Sequence, residues 1–376
     1  MYIASFDELS AFCERAAPYG VLAVDTEFLR ERTYHPMLCL IQVATDDESV
    51  AIDPLAIEDL GPLKALLADH GKTKVFHACD QDIEIIYDTM GIMPEPMFDT
   101  QLAAAFLGHR MQIGYGALVQ AMEGVRLPKA DGLTDWSHRP LDTDQLEYAE
   151  DDVRYLPHIY RQMMDELIRR DRLSWVVPEL QQICDRMVQR HDPREAYLHL
   201  KRSSSLTRKQ LAIAREVCAW REQSASARNL PRKWVMADEV IVELCRHAPR
   251  DVERLRRIRG TQSLSAKDAE ALMRAIRKGV HCDPKAYPQV KHRSRTSADT
   301  DSVIDLMYAM LRLLSDSSGV AIPLIATRDD LQSFLMGDKD SPLRSGWRYE
   351  LAGSKLEGLL RGEVGLTVKD GHLEML

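Results

Sequence analysis

Apolar residues gather early in the chain into short runs separated by polar turns. GVLAVDTEF (20–28), MLCLIQVAT (37–45) and the run inside SVAIDPL (49–55) have the β-branched, near-continuous character of buried strands. IEDLGPLKALLADHG (57–71) follows a helical period and stops at Gly71. KVFHA (74–78) reads as a further strand, QDIEIIYDTMG as an amphipathic helix, and MFDTQLAAAFLG (97–108) as a short strand or turn entering another helix. At the N-terminus, MYIASFDELSAFCERA predicts a short strand and a helix capped near Ser5 or Asp7. Three strands in succession, then strand–helix alternation, predict an α/β domain with a mixed sheet flanked by helices. PKADGLTDWSHRPL (128–141) is a polar, proline-flanked loop, and one long helical pattern runs from Asp142 to Arg170.

Beyond about residue 175 the strand signals fade and helical periodicity takes over. HDPREAYLHLKRSSSLT (191–207) reads as a connector into a helix near Leu206, and CDPKAYPQVKHRSRTSADTD (282–301) as a linker. The expected division is 1–195, 205–282 and 297–376, an α/β domain followed by two all-α domains.

Charge sharpens that division. Residues 1–170 hold 14 Lys and Arg against 30 Asp and Glu, whereas residues 201–280 hold 19 against 9. An acidic half joined to a basic segment speaks to partners, either a solvated helix face or a surface for polyanions. The seven cysteines are scattered and form no C-x-x-C pair, which argues against a disulfide framework or zinc site and for a reducing, cytoplasmic setting. No apolar run reaches membrane-spanning length, and the N-terminus lacks the order of a signal peptide.

Within this frame, two acids in a core strand stand out. Asp25 and Glu27 are two apart and so share a face. Either that strand end meets solvent, or it holds a cation that offsets the repulsion. Asp82 has Ile85 and Ile86 at i+3 and i+4, which turns it inward, whereas Asp80 sits where a helix cap is expected. In LEYAEDDVRYL, Tyr148 and Asp152 are spaced i, i+4. Asp152 shares its face with Ala149 and Leu156 and points inward, while Asp151 pairs by spacing with Glu147 and Arg154 and points out. Tyr148 and Asp152 are either a structural pair or part of a site.

Taken together, Asp25, Glu27, Asp82 and Asp152 offer four carboxylates from three elements. An oxygen-only donor set suits Mg²⁺ or Mn²⁺, and two such ions form the clamp used for phosphoryl displacement, with Tyr148 orienting a water. Thr26 and His77 are candidate contacts to a terminal nucleotide or else packed core residues. Trp136 and Arg139 are candidates for base stacking and phosphate binding or else a packing anchor.

VDTEF, HACDQDIEI and LEYAEDDVRYL, in that order, resemble the three motifs of the DEDD superfamily of 3′-5′ exonucleases, and the Tyr-x-x-x-Asp spacing resembles its tyrosine subclass. DTEFLRERTYHPMLCLIQVA, IDPL, FDTQLAAAF and TDWSHRPL are similar to the ribonuclease D family within it. ARNLPRKWVMADEVIVELCRHAPRDVERLRRIRG (227–260) resembles the HRDC domain, a helical nucleic-acid-binding module, and 300–376 a second, divergent copy whose role is either structural or RNA contact. The resemblance implies a ribonuclease H-like fold, two divalent metal ions held by the four acids, and metal-dependent release of nucleoside 5′-monophosphates from RNA 3′ ends, with tRNA precursors as substrate and a monomeric protein. The competing expectations are a DNA exonuclease of the same superfamily and a non-catalytic RNA-binding scaffold.

Overall fold

The computed structural model describes residues 1–128, 134–188, 192–288 and 298–376. Its contacts divide into two compact units. The first comprises Met1–Glu27, Leu38–Met187 and the described residues from 298 onward, the second Phe28–Met37 and the described residues between 188 and 288.

In the first unit the chain runs β1 (Tyr2–Ile3), α1 (Phe6–Ala16), β2 (Val21–Leu29), β3 (Met37–Ala44), β4 (Ser49–Ile52), α2 (Gly61–Ala68), β5 (Thr73–Phe76), α3 (Asp80–Met90), β6 (Met97–Asp99), α4 (Thr100–Phe106) and α5 (Tyr115–Glu123). The six strands lie in the order β1-β4-β3-β2-β5-β6. β4 pairs antiparallel with β3 and parallel with β1, while β2–β5 and β5–β6 are parallel, so the sheet is mixed as expected. β2 and β3 are central strands, which is why their sequences are apolar without alternation: Leu22, Ala23, Val24, Leu40 and Ile41 have no exposure. Lys74 is equally buried on β5, its ammonium donating to the carbonyls of Asp69, Lys72 and Glu95 at 2.6–2.8 Å. Ser5 caps α1 by accepting from the Glu8 amide.

The long helix expected after Asp142 is two helices, α6 (Thr143–Arg154) and α7 (Leu156–Arg169). Pro157 sits in the first turn of α7, where its missing N–H and its ring prevent one continuous helix through Tyr155. α8 (Leu173–Val188) follows. The loop at 128–141 keeps its expected place, although residues 129–133 lie outside the described residues.

The second unit is built on α9 (Arg208–Arg228), then α10 (Arg232–Val235), α11 (Asp238–His247), α12 (Val252–Arg256) and α13 (Ala266–Val280). Val217, Ile241, Leu244, Leu272 and Ile276 are fully buried in its core. Gly279 lets α13 reach α9, since a Cβ there would lie 2.4 Å from the Ile213 Cα. The segment Phe28–Met37 belongs to this unit: the Tyr34 and His35 amides both donate to Asn229 Oδ1, and the Tyr34 hydroxyl donates to Glu222.

Residues 298–376 form α14 (Ala298–Ser318), α15 (Ile322–Ile325), α16 (Arg328–Leu335), α17 (Gly346–Arg348) and α18 (Ser354–Leu360). A hairpin of β7 (Leu366–Lys369) and β8 (His372–Met375) follows, which corrects the all-α expectation for this region. Its turn is Asp370-Gly371, both with positive φ, flanked by alternating Leu366, Val368, Leu373 and Met375. That is the sequence of a tight hairpin. This region packs within the first unit: Trp347 stacks on Trp175 at 5.5 Å, and Glu179 accepts from both Trp347 and Arg348.

Candidate active site

β2 delivers Asp25 and Glu27 to one face of the central sheet, and α6 brings Asp152 to meet them. Carboxylate oxygens of the three lie within 4.8 Å of one another. Asp82, in the first turn of α3, stands just outside this triplet and is held by the Thr26 hydroxyl, which donates to its Oδ1 at 2.5 Å. Burial, then the charges of Asp82, Asp152 and Glu27, push the Asp25 carboxyl well above the usual range. Burial followed by Asp152 and Asp82 lifts Glu27 to about 8. Burial takes Asp82 to about 6 and Asp152 to about 7, against the hydrogen bonds from Thr26 and Tyr148 that favour their ionised forms.

Among the described residues none of the four carboxylates has a Lys or Arg partner, although neighbouring Asp151 pairs with Arg154 at 2.8 Å. Four mutually repelling acids drawn together without a cationic side chain have the chemistry of a hard divalent-cation site. The donors are all oxygen, the set that hard divalent cations prefer.

Tyr148 lies one turn before Asp152 on α6, and its hydroxyl favours the ionised form of the Asp152 carboxyl. Burial, then the nearby charges of Asp152 and Glu27, push the Tyr148 phenol far above its ordinary value, so the hydroxyl keeps its proton. Trp136 is buried, its ring centroid 6.0 Å from that of Tyr148.

The other candidate contacts are engaged inside the molecule. Thr26 is buried, and its hydroxyl serves Asp82. His77 has both ring nitrogens occupied, Nδ1 with Thr100 Oγ1 and Nε2 with the Ile113 carbonyl, each at 2.9 Å. Arg139 spends its guanidinium on Asp53, at 2.6 and 2.7 Å, and on the carbonyls of Cys39, Trp136 and His138. His77 and Arg139 tie loops to the sheet through these bonds. The reason is local: a buried imidazole and a buried carboxylate each needed a partner, and the fold supplied one.

Tyr115 was not singled out by sequence. Its hydroxyl donates to the Asp151 carbonyl at 2.7 Å, and its ring lies 5.5 Å from His77. It braces the turn of α6 that carries Asp152. Its only sequence signal is a tyrosine after Gly114 at a helix start, which carries no chemistry by itself.

A mixed six-stranded sheet bearing this carboxylate cluster defines the class: a ribonuclease H-like 3′-5′ exonuclease joined to a helical module. Residues 2–168 match the 3′-5′ exonuclease family, and residues 210–276 match the HRDC domain. The chain is 39% identical to ribonuclease D of Nitrobacter hamburgensis over 97% of its length and 96% of that protein's. It is 40% identical to ribonuclease D of Sphingobium indicum, covering 98% and 96%. The crystal structure of Escherichia coli RNase D, described as an exoribonuclease involved in structured RNA processing, superposes with a TM-score of 0.82 at 30% identity, covering 96% of this chain and 98% of that one. The chain belongs to the ribonuclease D family and is an exoribonuclease.

Proposed function

We propose that this enzyme trims RNA from the 3′ end one nucleotide at a time, releasing nucleoside 5′-monophosphates, and that 3′-end processing of tRNA precursors is its task. The observation carrying the reading is the meeting of Asp25, Glu27 and Asp152 oxygens within 4.8 Å, with no Lys or Arg partner among the described residues. Two divalent ions are inferred, one held by Asp25, Glu27 and Asp152, the other by Asp25 with support from Asp82. Bound there, such ions supply Lewis acidity toward the scissile phosphate and the attacking water.

The chain's own groups do the positioning. Thr26 fixes the rotamer of Asp82, and Tyr115 fixes the turn that carries Asp152. Tyr148, protonated and one turn from Asp152, orients a water in line with the terminal phosphodiester. The water oxygen bonds to phosphorus as the bond to the preceding 3′-oxygen breaks. The hydroxyl of that water stays on the released 5′-monophosphate, and its proton ends on the new 3′-hydroxyl. We further infer three regions, with catalysis in 1–195, an RNA grip in 205–282 and a bracing role for 297–376, acting as a monomer in the cytoplasm.

The test is a 5′-labelled single-stranded RNA incubated with Mg²⁺, Mn²⁺ or EDTA, beside the matching DNA strand and the Asp25→Asn variant. A metal-dependent ladder shrinking from the 3′ end, absent in Asp25→Asn and weaker on DNA, is expected. Intact RNA in every lane would leave the scaffold reading standing.

A further inference from the structure

We propose that Asp99 is a positioning residue for the second metal ion: its buried carboxyl ties the turn entering α3 to the corner between β6 and α4, and so sets where Asp82 stands. This rests on the two-ion reading above. Asp99 is 4% exposed. Its Oδ1 accepts from the Leu102 amide at 2.9 Å and caps α4, while Oδ2 accepts from the Cys79 amide at 2.8 Å. Each oxygen thus faces a backbone donor, which sets Asp99 apart from the carboxylates that converge on one another at the site.

The turn that Asp99 holds needs holding. Cys79 stands at the start of α3, and its side chain makes no capping hydrogen bond to that helix. Ala78 before it has φ +63°, a left-handed conformation in which a Cβ crowds the following carbonyl. Such a conformation persists where neighbouring contacts impose it. The β6–α4 corner does so twice, through Asp99 on the Cys79 amide and through Thr100, whose hydroxyl donates to the Phe76 carbonyl at 3.0 Å. Phe76 and Asp99 are register partners at the ends of the parallel strands β5 and β6, so the tie is short.

Asp82 follows in the first turn of α3. Thr26 sets its side chain, and the seating of the turn sets its backbone. Asp25, Glu27 and Asp152 meet within 4.8 Å without it, so the seating of α3 decides how Asp82 stands toward them. Asp99 is also near enough that its charge adds to burial in raising the Asp82 carboxyl. Partners that orient a metal ligand from behind govern affinity by about tenfold to a hundredfold.

The test titrates Mn²⁺ into the full-length protein by calorimetry, without RNA, comparing wild type with Asp99→Asn, Asp99→Ser and Asp82→Asn. Asparagine and serine both cap helices, so α4 keeps its cap, but each offers a single acceptor oxygen and leaves the Cys79 amide without its partner. Both Asp99 variants should weaken the looser class of Mn²⁺ site about tenfold and leave the tighter class unchanged, with Asp82→Asn weakening the same class further. Hydrolysis of a uridine trinucleotide should then need about tenfold more Mg²⁺ for half-maximal kcat, with wild-type kcat regained at saturating Mg²⁺ and KM for RNA unchanged. Unchanged Mn²⁺ binding in the Asp99 variants would overturn the proposal and leave Asp99 as a helix cap alone. Equal weakening of both classes, or loss of the native circular dichroism spectrum in both variants, would overturn it too. A single class of Mn²⁺ site in the wild type would instead refute the two-ion reading on which the proposal stands.

Discussion

Removing single atoms at the site separates chemistry from stability. Tyr148→Phe keeps the ring against Trp136 but loses the hydroxyl that orients water, so kcat should fall roughly a hundredfold with little change in KM or Tm. Single-turnover kinetics on a short RNA would check this. Arg139→Ala should do the reverse. It leaves the Asp53 carboxylate, whose side chain is 2% exposed, with hydrogen bonds from Tyr2 and the Leu55 amide but no counter-charge, and should cost about 3 kcal/mol of stability, seen as a lower Tm and not as a raised KM. A rise in KM at unchanged Tm would restore the phosphate-binding role. The contrast shows what residue-level reading could reach. The meeting of Asp25, Glu27 and Asp152 was legible because their spacing and apolar neighbours fix where they point. His77, Arg139 and Tyr115 were not, because their partners are backbone carbonyls or acids brought close only by the folded chain: Ile113, Cys39 and Asp151.

Between elements, packing distances decide. α13 crosses α9 at Gly279, where a Cβ would also lie 2.8 Å from the Ala212 carbonyl. Gly279→Ala should therefore destabilise the helical unit by about 3 kcal/mol, read by denaturant unfolding, whereas the same substitution at open Gly116 should be tolerated. Element boundaries were legible where local chemistry set them, as with the Ser5 cap and the αL residue Gly91 that ends α3. The break at Tyr155 escaped because the apolar period of α6 and α7 continues across it. Pro157 was the available signal: proline is tolerated in a first turn, so it marks a start as readily as it interrupts a helix. The C-terminal hairpin was overlooked for a similar reason, its strands being only four residues each beside a long helical stretch.

At the scale of the molecule, the pairing of Glu179 with Arg348 joins residues 169 positions apart within the first unit. Burial alone would raise the Glu179 carboxyl, but the hydrogen bonds from Arg348 and Trp347 outweigh it and hold it below its ordinary value. A carboxylate whose folded value is depressed contributes stability that is present above the unfolded value of about 4.3 and lost as pH falls through the folded one. Glu179→Gln should accordingly lower stability by about 2 kcal/mol at neutral pH, a deficit that shrinks as pH falls below the unfolded value, read in thermal melts of the two proteins. No composition or charge count could have signalled that 298–376 packs with the acidic half, since the contact depends on two tryptophans and one acid meeting across the fold.

The grouping of Phe28–Met37 with the helical unit bears on heredity. The strand that carries Asp25 and Glu27 runs directly into a segment whose backbone amides are satisfied by Asn229, almost two hundred positions away. A gene shuffled at the obvious seam near residue 188 would separate those partners and leave the loop's donors facing water. Exchange of this helical module between lineages keeps those bonds only where the ten residues 28–37 travel, or coevolve, with it.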